Sequence, residues 1–400
     1  MHDIRPIRAT SGTNHEGTSA HNRRVIIDAL RLNGALSRAD LARATRLTKQ
    51  TVSNIMEELE NDGLVTSRET VRRGRGQPST PYGLVPEGAC AIGLQIDRHI
   101  TRAIAVDLVG NVLIRKEANL PGGGPATGTP IVLQLVEDVR SELKQRAAQA
   151  EKRLVGLGVA MPGPFGIEQE DADNPWMMGA WQRFPLLETL SVGTGLNVTL
   201  QNDAAACATA ERMVGAAHGL DHAVCLYVGY GIGAGLILGG ELYSGAHGNA
   251  GEIGMALLTS GGKQTQLEHR ASLASLYDHL GLDPMAPDIY SLIDKRAAAD
   301  DPDILAWIER AAIDLRWSVQ LIETIFDPQT VILCGGAPPA LATRLMAAMQ
   351  PLLPSNADRP DRLLPRLQLG MTDPWAVARG AAAEPIGHAF DPRFQAILKS

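Results

Sequence analysis

Apolar residues recur at helical spacing in three successive segments near the start of the chain. The first segment carries its apolar face on Val25, Ala29 and Leu32, and an Asn-Gly pair ends it. The second opens at Ser37, and Asp40 follows three residues later as the partner in a capping pair. The pattern predicts two short helices, close together in the chain.

A third helix is predicted from Thr48, its N-cap, to Gly63, with an apolar stripe at i, i+3, i+4 and i+7. A short helix, a tight turn and a longer helix form the helix-turn-helix layout, in which the second helix enters the major groove. Polar residue types that bind phosphates or base edges occupy its outer side near the N-terminus. The predicted DNA contacts here are Arg38, Thr48, Lys49, Gln50, Thr51, Ser53 and Asn54.

A strand-like stretch, 64–68, follows the third helix, and then Arg72, Arg73 and Arg75 alternate with glycines. Behind a helix-turn-helix this segment is interpreted as a wing whose arginines reach phosphates or a minor groove. A solvated loop is the alternative for the arginines, and a protein-docking module is the alternative for the three helices. The predicted boundaries are an arm over 1–20, a winged helix-turn-helix over 21–83 and a proline-marked linker over 84–90.

Strand and helix signals then alternate in two similar series. Strands are predicted at 91–96, 101–107, 112–119, 154–160, 198–201, 223–228, 233–238 and 330–334, and helices at about 130–149 and 203–218. Two such series predict an α/β body over 91–400, with two lobes and a cleft built from residues near 160–272.

Composition narrows the classes of protein. The net charge of −7 is uneven: residues 1–83 hold 13 Lys/Arg against 9 Asp/Glu, a balance of +4, which leaves −11 on the remainder. A basic head on an acidic body suggests that only the head meets a polyanion. We find no apolar run as long as a membrane span and no secretory signal, and the four cysteines are widely spaced. These features favour a cytoplasmic protein with buried thiols over a membrane protein or a disulfide or zinc framework.

Six motifs occur in the order GVAMPGPFG, LQNDAAACATAE, VGYGIGAGLI, GAHGNAGEIG, LEHRAS and VILCGGA. Together they resemble the ROK family of bacterial sugar kinases and sugar-sensing repressors, and the helix-turn-helix with its GRGQP wing resembles the regulator branch. The resemblance runs from about residue 21 to the end. It implies an actin-like, RNase-H-like ATPase fold behind the winged helix, with a sugar in the interlobe cleft, and a homodimer or higher homo-oligomer.

The resemblance implies five sugar-binding positions: Gly163, Asn202, Asp203, Glu252 and Glu268. Planar amides and carboxylates suit this task because they accept pairs of hydroxyl hydrogens. Asp203 matches the general base of the kinases. Taken singly, Asp203 is better explained as a helix cap and Glu252 as a surface carboxylate, whereas the motifs together favour contact with a sugar.

Two departures from the family pattern bear on activity. The kinases carry an Asp-x-Gly-x-Thr-like phosphate loop, where this chain has Asp97-Arg98-His99-Ile100-Thr101. Without the glycine, the backbone amides cannot approach phosphate oxygens closely, and loss of efficient phosphoryl transfer is expected. The alternative is that the positive charge of Arg98 compensates for the lost amide contacts. The family's zinc-binding histidine is Met255 here, and the following loop has no cysteine, so no metal and no cofactor is expected. The surviving glycine runs leave nucleotide binding open.

The sequence therefore predicts a sugar-responsive regulator, most simply a repressor, with double-stranded operator DNA and a small sugar as partners. No catalytic residue is assigned. One alternative is an active ATP-dependent sugar kinase with a DNA-binding head. Another is a DNA-binding or scaffold protein whose body only dimerises.

Overall fold

The N-terminal head forms around the three predicted helices. The computed structural model describes residues 15–69, 80–120, 124–166, 178–260, 262–286 and 288–390. The elements of the head are α1 (His15–Asn33), β1 (Leu36–Ser37), α2 (Arg38–Thr45), α3 (Lys49–Asn61), β2 (Val65–Ser67) and β3 (Pro81–Leu84). Helix α1 begins at His15, inside the segment predicted as an arm, because a polar stretch without proline can extend a helix.

Local capping sets the helix boundaries as the sequence predicts. The Ser37 hydroxyl accepts a hydrogen bond from the Asp40 amide, and the Asp40 carboxylate accepts one from the Ser37 amide, which completes the capping box. The Thr48 hydroxyl accepts from the Thr51 amide at the start of α3. All four residues of the predicted α3 stripe are buried. Leu32 is only half-buried, because the buried band of α1 lies over residues 25–30 instead.

A small antiparallel sheet in the order β1-β3-β2 closes the head. Val65 of β2 lies opposite Leu84 of β3. The connection between these two strands contains Arg72, Arg73 and Arg75, so the predicted wing arginines lie outside the described residues.

The first lobe of the body is a five-stranded mixed sheet in the order β6-β5-β4-β7-β8. Strands β4, β5 and β6 are antiparallel neighbours, and β7 and β8 join them in parallel. The elements of this lobe are β4 (Cys90–Ile96), β5 (Ile100–Asp107), β6 (Val112–Asn119), α4 (Pro125–Arg146), α5 (Ala148–Glu151), β7 (Leu154–Met161), α6 (Gly179–Gln182), α7 (Leu186–Thr194) and β8 (Val198–Asn202).

The second lobe repeats this strand pattern in the order β11-β10-β9-β14-β15. Its elements are α8 (Asp203–Val214), β9 (His222–Val228), β10 (Ile232–Leu238), β11 (Glu241–Leu242), β12 (Leu257–Ser260), β13 (Lys263–Gln266), α9 (Glu268–Ala271), α10 (Leu273–Leu280), α11 (Ile289–Ala298), α12 (Pro302–Phe326), β14 (Thr330–Gly335), α13 (Pro339–Ala348), β15 (Leu367–Thr372) and α14 (Ala376–Phe390). The two lobes confirm the predicted α/β architecture.

Helices α8 and α14 lie between the two sheets. Helix α14 packs on β4 and β7 of the first sheet, α8 packs on β9 and β10 of the second, and the two helices pack on each other. Their approach is so close that a side chain at Gly380 would overlap the Ala206 carbonyl oxygen. The two lobes are therefore joined through a tight pair of helices, and α8 starts at the end of β8, where the cleft lies.

The head shares a hydrophobic core with the body. Ile26 and Met56 of the head belong to the same buried cluster as Ala382 and Ile386 of α14. Within 84–90, the segment predicted as a linker, Leu84 ends β3 and Cys90 begins β4, and both are buried. Apolar residues at both ends draw this short segment into the core, so the head rests directly on the body.

Arg153 of the body adds polar contacts to this junction. Its Nη1 donates to the carbonyl oxygens of Asp62, Gly63 and Gly88 at 3.1, 3.1 and 3.3 Å. These carbonyls belong to the end of α3 and to the turn before β4.

Within the described residues, no helix combines the length and the apolarity that a membrane span requires.

Candidate functional site

The interlobe cleft collects all five of the residues that the resemblance assigns to sugar binding. They come from four separate segments: the loop after β7, the β8–α8 junction, the loop after β11 and the start of α9. Arg98, Tyr227, Met255 and Gln266 also line it. A cleft built from this many segments depends on the relative position of the two lobes, which is the property a ligand sensor needs.

Gly163 lets the backbone pass close to two polar side chains. A Cβ placed on this residue would lie 2.7 Å from Asn202 Nδ2 and would overlap Glu252 Oε1. Any larger residue at this position would therefore displace both side chains.

Asn202 holds one carboxylate of the cleft and also caps a helix. Its Nδ2 donates to Glu252 Oε1 at 2.7 Å. Its Oδ1 accepts from the Ala204 amide at 2.7 Å, which satisfies a free N–H group at the start of α8. Glu252 is thus a half-buried carboxylate of the cleft wall, held there by Asn202.

Asp203 is the first residue of α8 and is only 7% exposed. Its Oδ1 is buried and has no hydrogen-bond partner among the described residues. Burial, and then the charge of Asp97, raises the pKa of Asp203 well above its ordinary value, while the charge of Arg98 opposes this rise. Asn202, rather than Asp203, provides the N-cap, so the helix-cap explanation of Asp203 fails. Its buried oxygen instead is an acceptor suited to a hydroxyl donor.

Glu252 and Glu268 are two further acidic groups in low-dielectric surroundings. Burial, and then the charge of Glu268, raises the pKa of Glu252 to about 7. Burial also raises the pKa of Glu268, although the charges of His269 and Arg98 oppose the effect. Three carboxylates and one carboxamide thus converge on one space, and such acceptors suit a ligand with several hydroxyl groups.

The loop at the kinase phosphate position is a tight turn between β4 and β5, in which the Asp97 amide donates to the Ile100 carbonyl at 3.0 Å. Thr101 is fully buried, and its hydroxyl donates to the Gln95 carbonyl at 2.8 Å. The Cζ of Arg98 lies 4.6 Å from the centroid of the Tyr230 ring.

His99 meets the same ring edge-on, with 6.2 Å between the ring centroids. Side chains therefore pack around this turn, and His99 occupies the position where the kinase pattern has glycine. Sequence reasoning considered Arg98 only as a compensating charge and did not predict that it lines the cleft. The available signal was a cationic residue in the loop at the kinase phosphate position.

The segment at the family's zinc position is a hairpin of β12 and β13. It contains no cysteine or histidine, and Met255 before it faces the cleft. Among the described residues, no group of three or more metal-ligating side chains is gathered in one place. The donor chemistry at this position does not fit zinc. The histidine of the GAHGNAGEIG motif, His247, is exposed and is not among the residues that line the cleft.

The N-terminal half of α3 presents an exposed polar surface. Lys49, Gln50 and Asn54 are exposed, and Gln50 Nε2 donates to Asn54 Oδ1 at 2.8 Å across one helical turn. The hydroxyl oxygens of Thr48 and Thr51 lie 2.8 Å apart at the end of the helix. These residues lie at the N-terminal end of α3, the part of a recognition helix that contacts base edges in the major groove.

Two other predicted DNA contacts, Ser53 and Arg38, are less exposed than this surface. Ser53 is half-buried, and Arg38 is half-buried with its guanidinium carbon 5.2 Å from the centroid of the Tyr82 ring. Sequence reasoning also missed Arg46, which is exposed in the turn before α3 with a φ of 58°. Its cationic character in the turn of a helix-turn-helix is the signal that was available.

Comparison with known proteins agrees with this architecture. A xylose repressor of Caldicellulosiruptor bescii is 28% identical over 60% of this chain and 59% of its own length. The solved structure of a ROK family transcriptional regulator, a homologue of the E. coli MLC protein, gives a TM-score of 0.69 at 21% identity, over 95% of this chain and 98% of its own. A ROK family glucokinase from Streptomyces griseus, solved with glucose and AMPPNP, gives 0.55 at 22% identity, over 74% and 98%.

These two structural matches show a shared fold. Two family models match the sequence itself: the MarR family model covers residues 25–76, and the ROK family model covers residues 91–383. Since the second match spans well over half of the chain, the protein belongs to the ROK family and carries a MarR-type winged helix domain ahead of its ROK body.

Proposed function

We propose that the protein is a transcriptional repressor that binds operator DNA through α3 and changes its DNA affinity when a sugar enters the interlobe cleft. The observation that carries this proposal is the combination, in one chain, of a polar recognition surface and a cleft of converging carboxylates. The relative named a xylose repressor supports the same function. D-xylose is accordingly the first sugar to test.

The coupling between the two sites is proposed to run through α8 and α14. Asp203 in the cleft starts α8, and α8 packs against α14 at Gly380. The end of α14 meets the head, where Arg24 Nε donates to the Ala389 carbonyl oxygen at 3.1 Å. A sugar that binds one lobe arrangement more tightly than another shifts α8, and the shift reaches α1 through this packed helix pair.

Two heads are needed for a palindromic operator. Recognition helices of a dimer must lie about 34–36 Å apart to enter successive major grooves. We propose that the protein acts as a homodimer, in which a small rotation of each head weakens binding to both half-sites.

The test is fluorescence anisotropy of the purified protein on its own upstream DNA, at fixed salt, with a panel of sugars. We expect tight binding and a shift of the curve by one sugar. Asp203→Asn should abolish the shift but keep DNA affinity, whereas the matched control Asp138→Asn, exposed on α4, should behave as wild type. Binding that no sugar changes would instead indicate a body that only dimerises.

An active sugar kinase is the second candidate, because the kinase base is retained as Asp203. Release of ADP that requires both ATP and a sugar would establish it. We propose that no efficient phosphoryl transfer occurs, since Arg98 and His99 occupy the turn where the kinases need glycine. We also propose that the protein uses no zinc ion.

A further inference from the structure

Arg98 is held firmly at the wall of the cleft. Its Nη1 lies 3.3 Å from Asp97 Oδ1, and its own amide donates to the same oxygen at 2.8 Å. The guanidinium stacks on Tyr230, and the side chain is 10% exposed. An ion pair and an aromatic ring thus fix the position of one positive charge next to the acidic groups of the cleft.

Acidic groups outnumber cations at this site. Among the described residues that line the cleft, Asp203, Glu252 and Glu268 are acidic and Arg98 is the basic one. The charge of Arg98 lowers the pKa of both Asp203 and Glu268, against the larger effect of burial. The other titratable or charged groups that face these carboxyls are Asp97, Tyr227 and His269.

We propose that Arg98 is a specificity-determining residue that supplies the cleft with a built-in cation, so that it binds an uncharged sugar without nucleotide or divalent cation and rejects the same sugar's phosphate. This inference rests on the proposed sugar-sensing function.

The physical reason is the balance of charge. An ionised carboxylate accepts hydroxyl hydrogens at both oxygens, whereas a protonated carboxyl has lost acceptor capacity. Arg98 favours the ionised form of Asp203 and Glu268, and it thereby prepares them to bind hydroxyl groups. A phosphate would add negative charge to a space that already holds three carboxyl groups, and the one cation among the described residues that line it is paired with Asp97, so the desolvation of the phosphate is not compensated.

The experiment uses the full-length protein and isothermal titration calorimetry without nucleotide or magnesium. The ligands are matched pairs of free and phosphorylated sugars, namely D-xylose with its 1-phosphate, and D-glucose, D-mannose and N-acetyl-D-glucosamine with their 6-phosphates. We expect one free sugar to bind, its phosphate to bind at least roughly tenfold more weakly, and magnesium-ATP to leave the Kd unchanged.

Variants at position 98 then test the role of the cation. Arg98→Gln should weaken binding of the free sugar roughly tenfold. It should also move the midpoint of the pH dependence of binding upward, because the charge of Arg98 lowers the pKa of Asp203 and Glu268. Arg98→Lys should recover part of the affinity. Tyr230→Leu, which removes the stacking partner, should give an intermediate effect, and the exposed Arg115→Gln should match wild type.

Each outcome has a distinct meaning. A phosphate that binds more tightly than its free sugar, with the preference lost in Arg98→Gln, would make Arg98 a phosphate receptor and overturn the proposal. An Arg98→Gln variant with wild-type affinity and pH profile would also overturn it. If neither D-xylose nor any of the paired ligands binds the wild-type protein while DNA binding is intact, the sugar-sensing function itself fails, and this inference fails with it.

Discussion

Glu252 gives the protein a pH-dependent stability that can be calculated from its surroundings. Burial and the neighbouring Glu268 raise the pKa of Glu252 from 4.5 to about 7. Between pH 4.5 and about 7, the carboxyl group of Glu252 is therefore protonated in the folded state and ionised in the unfolded chain. The contribution of this proton to the free energy of unfolding is complete below about pH 4.5 and is lost as the pH rises through about 7. The stability lost over this range is roughly 3 kcal/mol.

The perturbation is Glu252→Gln, which keeps the shape and an acceptor for Asn202 but removes the charge. We expect little change in the free energy of unfolding at pH 5. At pH 8 we expect the ligand-free variant to be more stable than wild type, by up to roughly 3 kcal/mol. Sugar binding should weaken at the same time, because the site uses an unfavourable charge for function.

The assay is urea unfolding at pH 5 and pH 8, followed by tryptophan fluorescence and circular dichroism on the same samples. Glu309→Gln, an exposed substitution on α12, is the matched control and should change neither value. Equal effects of Glu252→Gln at the two pH values, or a loss of stability at pH 8, would refute the reasoning.

Three further substitutions test the junction, the DNA surface and the helix pair. Arg153→Met should cost about 1–3 kcal/mol of stability in urea unfolding, because it removes hydrogen bonds to three carbonyl oxygens at the junction. Lys49→Ala should weaken DNA binding alike for all operator variants and reduce the slope of log Kd against log salt by about one. Gly380→Ala should destabilise the protein by about 1–3 kcal/mol or more, because its Cβ overlaps Ala206, whereas Gly179→Ala should be mild in a thermal melt.

The sequence by itself determined the local elements. The spacing of apolar residues in α3 and the capping residues Ser37 and Thr48 are short-range features, so the helix-turn-helix could be predicted without knowledge of its neighbours. Alternating strand and helix signals likewise predicted the two lobes. The candidate cleft residues followed from ordered motifs, since Asn202 and Asp203 lie at a strand-to-helix junction that sequence reveals directly.

Only the tertiary structure decided how these pieces contact one another. Leu84 and Ala89 are buried in one core with α14, which lies almost 300 residues further along the chain, and no local pattern reports such a contact. The same holds for Arg38 on Tyr82 and for Arg98 on Tyr230, because stacking partners are chosen by the fold. The pKa values of Asp203 and Glu252 are also tertiary properties, since burial and charges brought together from distant segments set them.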